Sequence, residues 1–168
     1  SFDYVVSALR LLGLVFQPGR RFSTAEIAAR LDIRSQHQRL LNRLLEMLRE
    51  EGVLQPVAEG WEVISVPEVH DPQPRIAALL AQCPAATAEL TLLERCGSRL
   101  AQVLQGQCDP LQLLFPEGDF TTAGALYQDS PAARNTNSLL QKAVLETLAR
   151  LPRNRTLRIL EIGAGTGG

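Results

Sequence analysis

The sequence is poor in the residues that build disulfide frameworks and metal sites. Its three cysteines, Cys83, Cys96 and Cys108, are widely spaced and form no Cys-x-x-Cys pair, and the histidines number two. An odd count of separated cysteines gives no disulfide framework, and a lone histidine lacks the convergent ligands that a metal needs. We therefore predict no metal site, at His37, at His70 or elsewhere.

Long apolar runs and an excess of charge are missing as well. No apolar run reaches the roughly 20 residues that a membrane-spanning helix needs, and the first residues lack the basic start of a secretory signal. The formal net charge is −1, so the molecule as a whole has no bias towards nucleic acid or anionic lipid. With 45% apolar residues, we predict a globular cytoplasmic protein with neither a nucleic-acid nor a membrane partner.

Apolar periodicity predicts a compact subdomain over residues 1–65, in the order helix, helix, helix, strand, strand. The spacing of Ser23 and Glu26 is that of a capping box, which predicts the start of the second helix there. The third helix is expected over 36–51. The first helix is expected over 2–16, with one apolar face made of Val5, Ala8, Leu11, Leu12 and Val15.

Two short strands, over 53–57 and 61–64, complete an outline typical of a winged helix. That outline raises the alternative of a DNA-binding regulator. Residues 1–64 hold eight arginines and eight acidic residues, a balance of zero, whereas DNA affinity depends largely on neutralising phosphates. A packing or dimerisation module is therefore favoured over DNA binding.

A second, helical subdomain is expected over residues 75–151, after a proline-containing connection. Within it, apolar spacing predicts helices over 75–82, 86–104 and 136–151, the last capped by Asn135 or Thr136. The apolar face of this last helix would carry Leu140, Val144, Leu148 and Leu151.

The chemistry is concentrated in residues 152–168, where a predicted buried strand over 157–162 leads directly into a glycine loop. The glycines satisfy Gly-x-Gly-x-x-Gly, which nicotinamide, flavin and S-adenosylmethionine folds share. Glu161, two residues before Gly163, could balance the amino group of a methionine moiety, whereas a dinucleotide site has its acid about 20 residues later. A nicotinamide-dependent reductase, or a glycine-rich turn without a ligand, remain alternatives.

Stretches along nearly the whole chain resemble one family, the C-methyltransferase domains of type I polyketide synthases. The resemblance is carried by Ala8–Gly13, Gln38–Leu45, Glu50–Gly52, Trp61–Val63, Leu92–Gly97, Asp109–Pro116, Leu126–Pro131 and Arg158–Gly168. It implies a mainly α fold: a helical lid with a winged-helix-like N-terminal part, then the first strand and glycine loop of a truncated Rossmann-type core.

The resemblance also implies an activity, S-adenosylmethionine-dependent methylation of the α-carbon of a β-ketoacyl chain. That chain would be carried on the phosphopantetheine arm of an acyl carrier protein, among neighbouring synthase domains. The family's catalytic histidine and glutamate would lie beyond Gly168, so we expect no catalytic residue in this chain. The cofactor-binding residues implied by the match are Glu161, Gly163, Ala164, Gly165 and Thr166, with the lid residues Tyr127 and Asn137 added as weaker candidates.

A Rossmann site uses loops from several parallel strands, and this sequence supplies the first of them. We therefore expect residues after about Thr156 to be irregular, or to pair with something other than their normal neighbours. We also expect the chain alone neither to bind S-adenosylmethionine tightly nor to methylate a substrate. A non-catalytic structural or interaction module of a synthase is the remaining alternative.

Overall fold

The fold, from a computed structural model that describes residues 1–152, 156–160 and 162–163, is mainly helical with one small sheet. Its first part consists of α1 (Phe2–Leu11), β1 (Arg21–Phe22), α2 (Thr24–Arg30), α3 (Gln38–Glu50), β2 (Leu54–Val57) and β3 (Gly60–Val63). Its second part consists of α4 (Pro72–Gln82), α5 (Thr87–Ser98), α6 (Leu100–Leu104), α7 (Pro110–Leu114), α8 (Thr121–Gln128) and α9 (Pro131–Ala149).

Helix α1 ends at Leu11, earlier than the expected helix over 2–16. Gly13 adopts a φ of +99°, and the Leu14 amide donates to the Leu9 carbonyl at 2.8 Å. A glycine in the left-handed conformation, with a hydrogen bond back into the last turn, ends a helix and changes the direction of the chain. The predicted apolar face is therefore wrong at its end, because Leu11 is 74% and Val15 54% exposed.

The predicted capping box at the start of α2 is confirmed. The Ser23 hydroxyl accepts from the Glu26 amide at 3.1 Å, and the Glu26 carboxylate accepts from the Ser23 amide at 2.6 Å. The next residue, Thr24, accepts a hydrogen bond at 3.1 Å from the indole of Trp61 in β3. The start of α2 is therefore fixed both within the helix and to the sheet.

The sheet has three antiparallel strands in the order β1-β3-β2, with Phe22 opposite Trp61 and Leu54 opposite Val63. Strands β2 and β3 were predicted, and β1, two residues long, was not. Behind the sheet, α3 contributes a row of leucines to the main core, namely Leu41, Leu44, Leu45 and Leu48. Assignment of this part as a winged helix stays a prediction.

The two expected subdomains pack on each other through a shared core. Leu104 in α6 is fully buried in the same cluster as the residues of α1, α2 and α3. The Arg34 amide donates to the Leu104 carbonyl at 3.0 Å, and the Gln105 side chain donates to the Leu31 carbonyl at 3.1 Å. The helix expected over 86–104 is instead split at Arg99 into α5 and α6.

Helix α9 begins at Pro131, so its predicted start near residue 136 and its predicted caps, Asn135 and Thr136, are wrong. The Ser130 hydroxyl caps the helix by accepting from the Ala133 amide at 3.1 Å. Proline suits the first helical position, because the amide that it lacks has no partner inside the helix. The cap and proline extend α9 to 19 residues.

Candidate functional site

Of the predicted glycine-loop residues, Gly163 is the one whose geometry is described. Its φ is +79°, and a side chain added there would meet no atom of a described residue within 4 Å. Positive φ with open space is the geometry that lets a backbone approach a ligand closely, so Gly163 fits the predicted loop. Glu161, Ala164, Gly165 and Thr166 lie outside the described residues, and their roles stay predictions.

The strand expected ahead of that glycine is not formed in the part of it that the structure describes. Residues 156–160 and 162 belong to no strand, and the side chains expected to be buried are exposed, Ile159 by 75%, Leu160 by 83% and Ile162 by 88%. A strand needs neighbours to satisfy its backbone groups and to cover its side chains. The buried-strand prediction is therefore wrong for the described residues, while the expectation of irregular structure after Thr156 agrees with them.

The two predicted lid residues lie together at the junction of α8 and α9. The Asn137 side-chain amide donates to the backbone carbonyl of Tyr127 at 3.1 Å. Nearby, the Arg134 guanidinium lies 3.6 Å from the Asp129 carboxylate. The Asn137 amide thus joins the two helices, while the Tyr127 side chain is 58% exposed.

Beside this junction, α9 presents an apolar face that no described part of the chain covers. No residue of α9 is buried, and the exposed aliphatic side chains of this face are Leu140, Val144 and Leu145. A shallow groove of about 310 Å³ lies along this face, lined by Asn137, Leu140, Gln141, Val144 and Leu145. Apolar spacing predicted an apolar face on this helix but gave no means of telling whether that face would be covered.

The described residues do not assemble a complete site. Gly163 provides a fitting backbone geometry and Tyr127 an exposed phenol, but neither has a described contact that would enclose a nucleoside. Within the described ranges, His, Cys, Asp and Glu side chains nowhere form a group of three or more suited to a metal ion. Among those same residues, none of the helices has both the length and the apolarity needed to cross a membrane.

No family model matches the chain. A non-reducing polyketide synthase, pks11 of Talaromyces marneffei, is 35% identical over 97% of the chain and 6% of its own length. Pyochelin synthetase PchF of Pseudomonas aeruginosa is 32% identical over 90% of the chain and 8% of its own length.

This chain covers a larger share of the solved structures that it matches than of the synthases. The CurJ carbon methyltransferase is 42% identical, with a TM-score of 0.92 over 99% of this chain and 44% of that one. The C-methyltransferase (CMeT) domain of the citrinin polyketide synthase is 28% identical, with a TM-score of 0.81 over the same shares. The chain thus spans less than half of these domains and a small part of the synthases. On sequence and fold together, the chain is similar to part of the carbon methyltransferase domains of polyketide synthases.

Proposed function

We propose that this chain forms the lid, together with the first cofactor-binding loop, of an S-adenosylmethionine-dependent carbon methyltransferase in a polyketide synthase. The domain methylates the α-carbon of a β-ketoacyl chain held on an acyl carrier protein. The observation that carries the proposal is the 42% identity to the CurJ carbon methyltransferase over 99% of this chain. Its TM-score of 0.92 supports the same alignment at the level of the fold.

In this proposal, the glycine loop holds the cofactor. Gly163, Ala164, Gly165 and Thr166 present backbone groups to it, and Glu161 balances the positive amino group of its methionine part. When bound, S-adenosylmethionine supplies the electrophilic methyl group. Support from the structure is limited to Gly163, whose positive φ and open surroundings suit a loop that approaches a ligand.

The lid residues act above that loop. Tyr127 has an exposed phenol that could contact the cofactor or cover the substrate, and Asn137 holds the Tyr127 backbone through its 3.1 Å hydrogen bond. We therefore assign Asn137 a positioning role, because its amide is engaged with the Tyr127 carbonyl. In the family the catalytic base lies outside this chain, so the residues described here orient and enclose the reactants.

The apolar face of α9 and the exposed side chains at 157–160 and 162 then have a common partner. We assign both to contact with the part of the methyltransferase domain that this chain does not span, since the matched structures extend well beyond it. Without that part, Leu140, Leu145 and Ile159 are left exposed. The chain by itself should therefore neither hold the cofactor tightly nor transfer a methyl group.

Calorimetry with S-adenosylmethionine tests the proposal. A domain that joins this chain to the remainder of a carbon methyltransferase should bind the cofactor, and Glu161→Gln should weaken that binding. A Glu59→Gln variant, changed in the exposed turn between β2 and β3, serves as the matched control and should bind normally. Absence of binding by the complete domain would refute the assignment, whereas micromolar binding by this chain alone would refute its proposed inactivity.

A further inference from the structure

Side-chain charge is unevenly distributed along the first part of the chain. Residues 30–43 carry four arginines and a single aspartate, a net charge of +3. Residues 46–62 carry five glutamates and one arginine, a net charge of −4. Helix α3 connects these two segments, so its start is basic and its end is acidic. The overall balance of zero conceals this separation.

This arrangement opposes what would stabilise α3 by itself. A helix has a positive N-terminal end and a negative C-terminal end, so acids favour its start and bases its end. Here Arg39 is the second residue of α3, while Glu50 is its last and Glu51 caps it. Ion pairs within α3 account for its acidic end together with Arg43 and Arg49. Helix stability does not explain Arg39 in the first turn, and a role at the surface is the alternative explanation.

Three arginines form the basic end, and we call them the arginine surface: Arg30, Arg34 and Arg39. Arg30 ends α2, Arg34 precedes the short 3₁₀ helix at 35–37, and Arg39 lies in the first turn of α3. All three are exposed, and none forms an ion pair with a described residue. By contrast, Arg43 and Arg49 on the same helix pair with Glu50 and Glu46 at 2.7 and 2.8 Å.

One of these side chains is already held in place. The Arg34 Nε donates to the Gln105 carbonyl at 3.0 Å, and the Arg34 side chain packs closely over Gly106. A carbonyl fixes the guanidinium without cancelling its charge, which leaves the terminal nitrogens available. Ordering a charged side chain before binding reduces the entropy lost on association. The acids closest in sequence to the arginine surface are Glu26 and Asp32.

We propose that the arginine surface is where the acyl carrier protein docks, through an acidic face of the carrier itself. This rests on the proposed function, which requires a carrier protein to present the substrate. Complementary charge steers such encounters and fixes their orientation. Docking on duplex DNA is less favoured, because Glu46 and Glu50 on α3 would face the phosphates.

Binding of an apo acyl carrier protein, from a polyketide synthase with a carbon methyltransferase domain, tests this surface. The apo form has no phosphopantetheine, so its phosphodiester cannot account for binding. Titration of isotope-labelled carrier with this chain should shift carrier resonances from its acidic residues, and affinity should fall as salt rises. The triple variant Arg30→Glu, Arg34→Glu and Arg39→Glu should weaken binding by about tenfold or more.

A matched triple variant, Arg75→Glu, Arg99→Glu and Arg150→Glu, makes the same change in net charge elsewhere and should leave affinity within about twofold. Because Arg34 also contacts Gln105, the double variant Arg30→Glu and Arg39→Glu guards against a simple loss of folding. Equal weakening by the matched variant, no binding by the native chain, or tighter binding of duplex DNA at the same arginines would overturn the proposal. If the arginine variants bind the carrier normally in a domain that still methylates, the arginine surface is not the docking site, while the proposed function is unaffected.

Discussion

The Ser23 hydroxyl and the Glu26 carboxylate each satisfy an amide at the start of α2 that has no partner inside the helix. This reciprocal pair was predictable because its geometry depends on residues three apart in sequence. The positive φ of Asp32, at +53°, is also closed locally, because the Ile33 amide donates to the Ala28 carbonyl at 2.8 Å and the Asp32 amide to the Ala29 carbonyl at 3.3 Å. This helix end was not predicted, because glycine or asparagine is the usual residue at such a position. Local spacing therefore predicts a residue-scale feature where the usual residue types are present.

Replacing Ser23 with alanine should lower the free energy of unfolding by about 1 kcal/mol, because the Glu26 amide loses its acceptor. Urea denaturation followed by circular dichroism measures this change. Ser7→Ala, at an exposed position of α1, is the control and should stay within about 0.5 kcal/mol of the native chain. If the two variants are equally stable, the cap makes no net contribution.

The Glu26 carboxyl should make the free energy of unfolding depend on pH in the acidic range. The hydrogen bond from the Ser23 amide lowers the pKa of Glu26 below its usual range. The carboxylate therefore stabilises the fold above the unfolded pKa of about 4.3, and this contribution is lost as pH falls through the lowered folded value. Below about pH 4, the free energy of unfolding should fall more steeply for the native chain than for Glu26→Gln. Parallel curves in urea titrations across this range would contradict the assignment.

Among the elements, helix interiors were predicted better than helix ends. Helix α3 lies within its predicted range, 36–51, and its buried leucines share one face at three- and four-residue spacing. The start of α9 was missed because the cap at Ser130 and the proline after it are a start signal independent of apolar spacing. Helix α7 was not predicted, since five residues are too few to show a helical period.

The contact between α1 and α5 requires a glycine. A side-chain carbon at Gly97 would lie 2.5 Å from Tyr4 Cγ, so Gly97→Ala should destabilise the fold by about 1–3 kcal/mol through overpacking. Gly124, in α8, has open space around it, so Gly124→Ala should stabilise by up to about 1 kcal/mol through helix propensity. Thermal unfolding of both variants compares these effects. A stabilising Gly97→Ala would show that the helices do not meet as described.

The exposed face of α9 should matter little to the stability of this chain. Leu140 is 63% exposed, so Leu140→Ser should change the free energy of unfolding by less than about 0.5 kcal/mol while reducing binding of an apolar dye. Leu45 in α3 is fully buried, so replacing it with alanine should lower the free energy of unfolding by about 2–5 kcal/mol. A large loss of stability in Leu140→Ser would mean that α9 is already packed in the isolated chain.

At the scale of the whole molecule, the sequence identified the family but not how its parts pack. Leu104 joins the core of the first part although it lies some distance along the chain from that part, and apolar spacing carries no information about such contacts. The glycine loop was recognisable from its residues. Its strand is not formed in the described residues, and the spacing within one segment carries no information about the neighbours on which a strand depends.

The central claim is that this chain serves a carbon methyltransferase acting on a carrier-bound substrate. The most direct test incubates the complete domain, including this chain, with S-adenosylmethionine and a β-ketoacyl carrier protein, and follows the carrier by mass spectrometry. The predicted result is the gain of one methyl group at the α-carbon. No gain is expected with a control substrate whose α-carbon is already fully substituted. A carrier of unchanged mass, with cofactor and substrate both shown to bind, would contradict it.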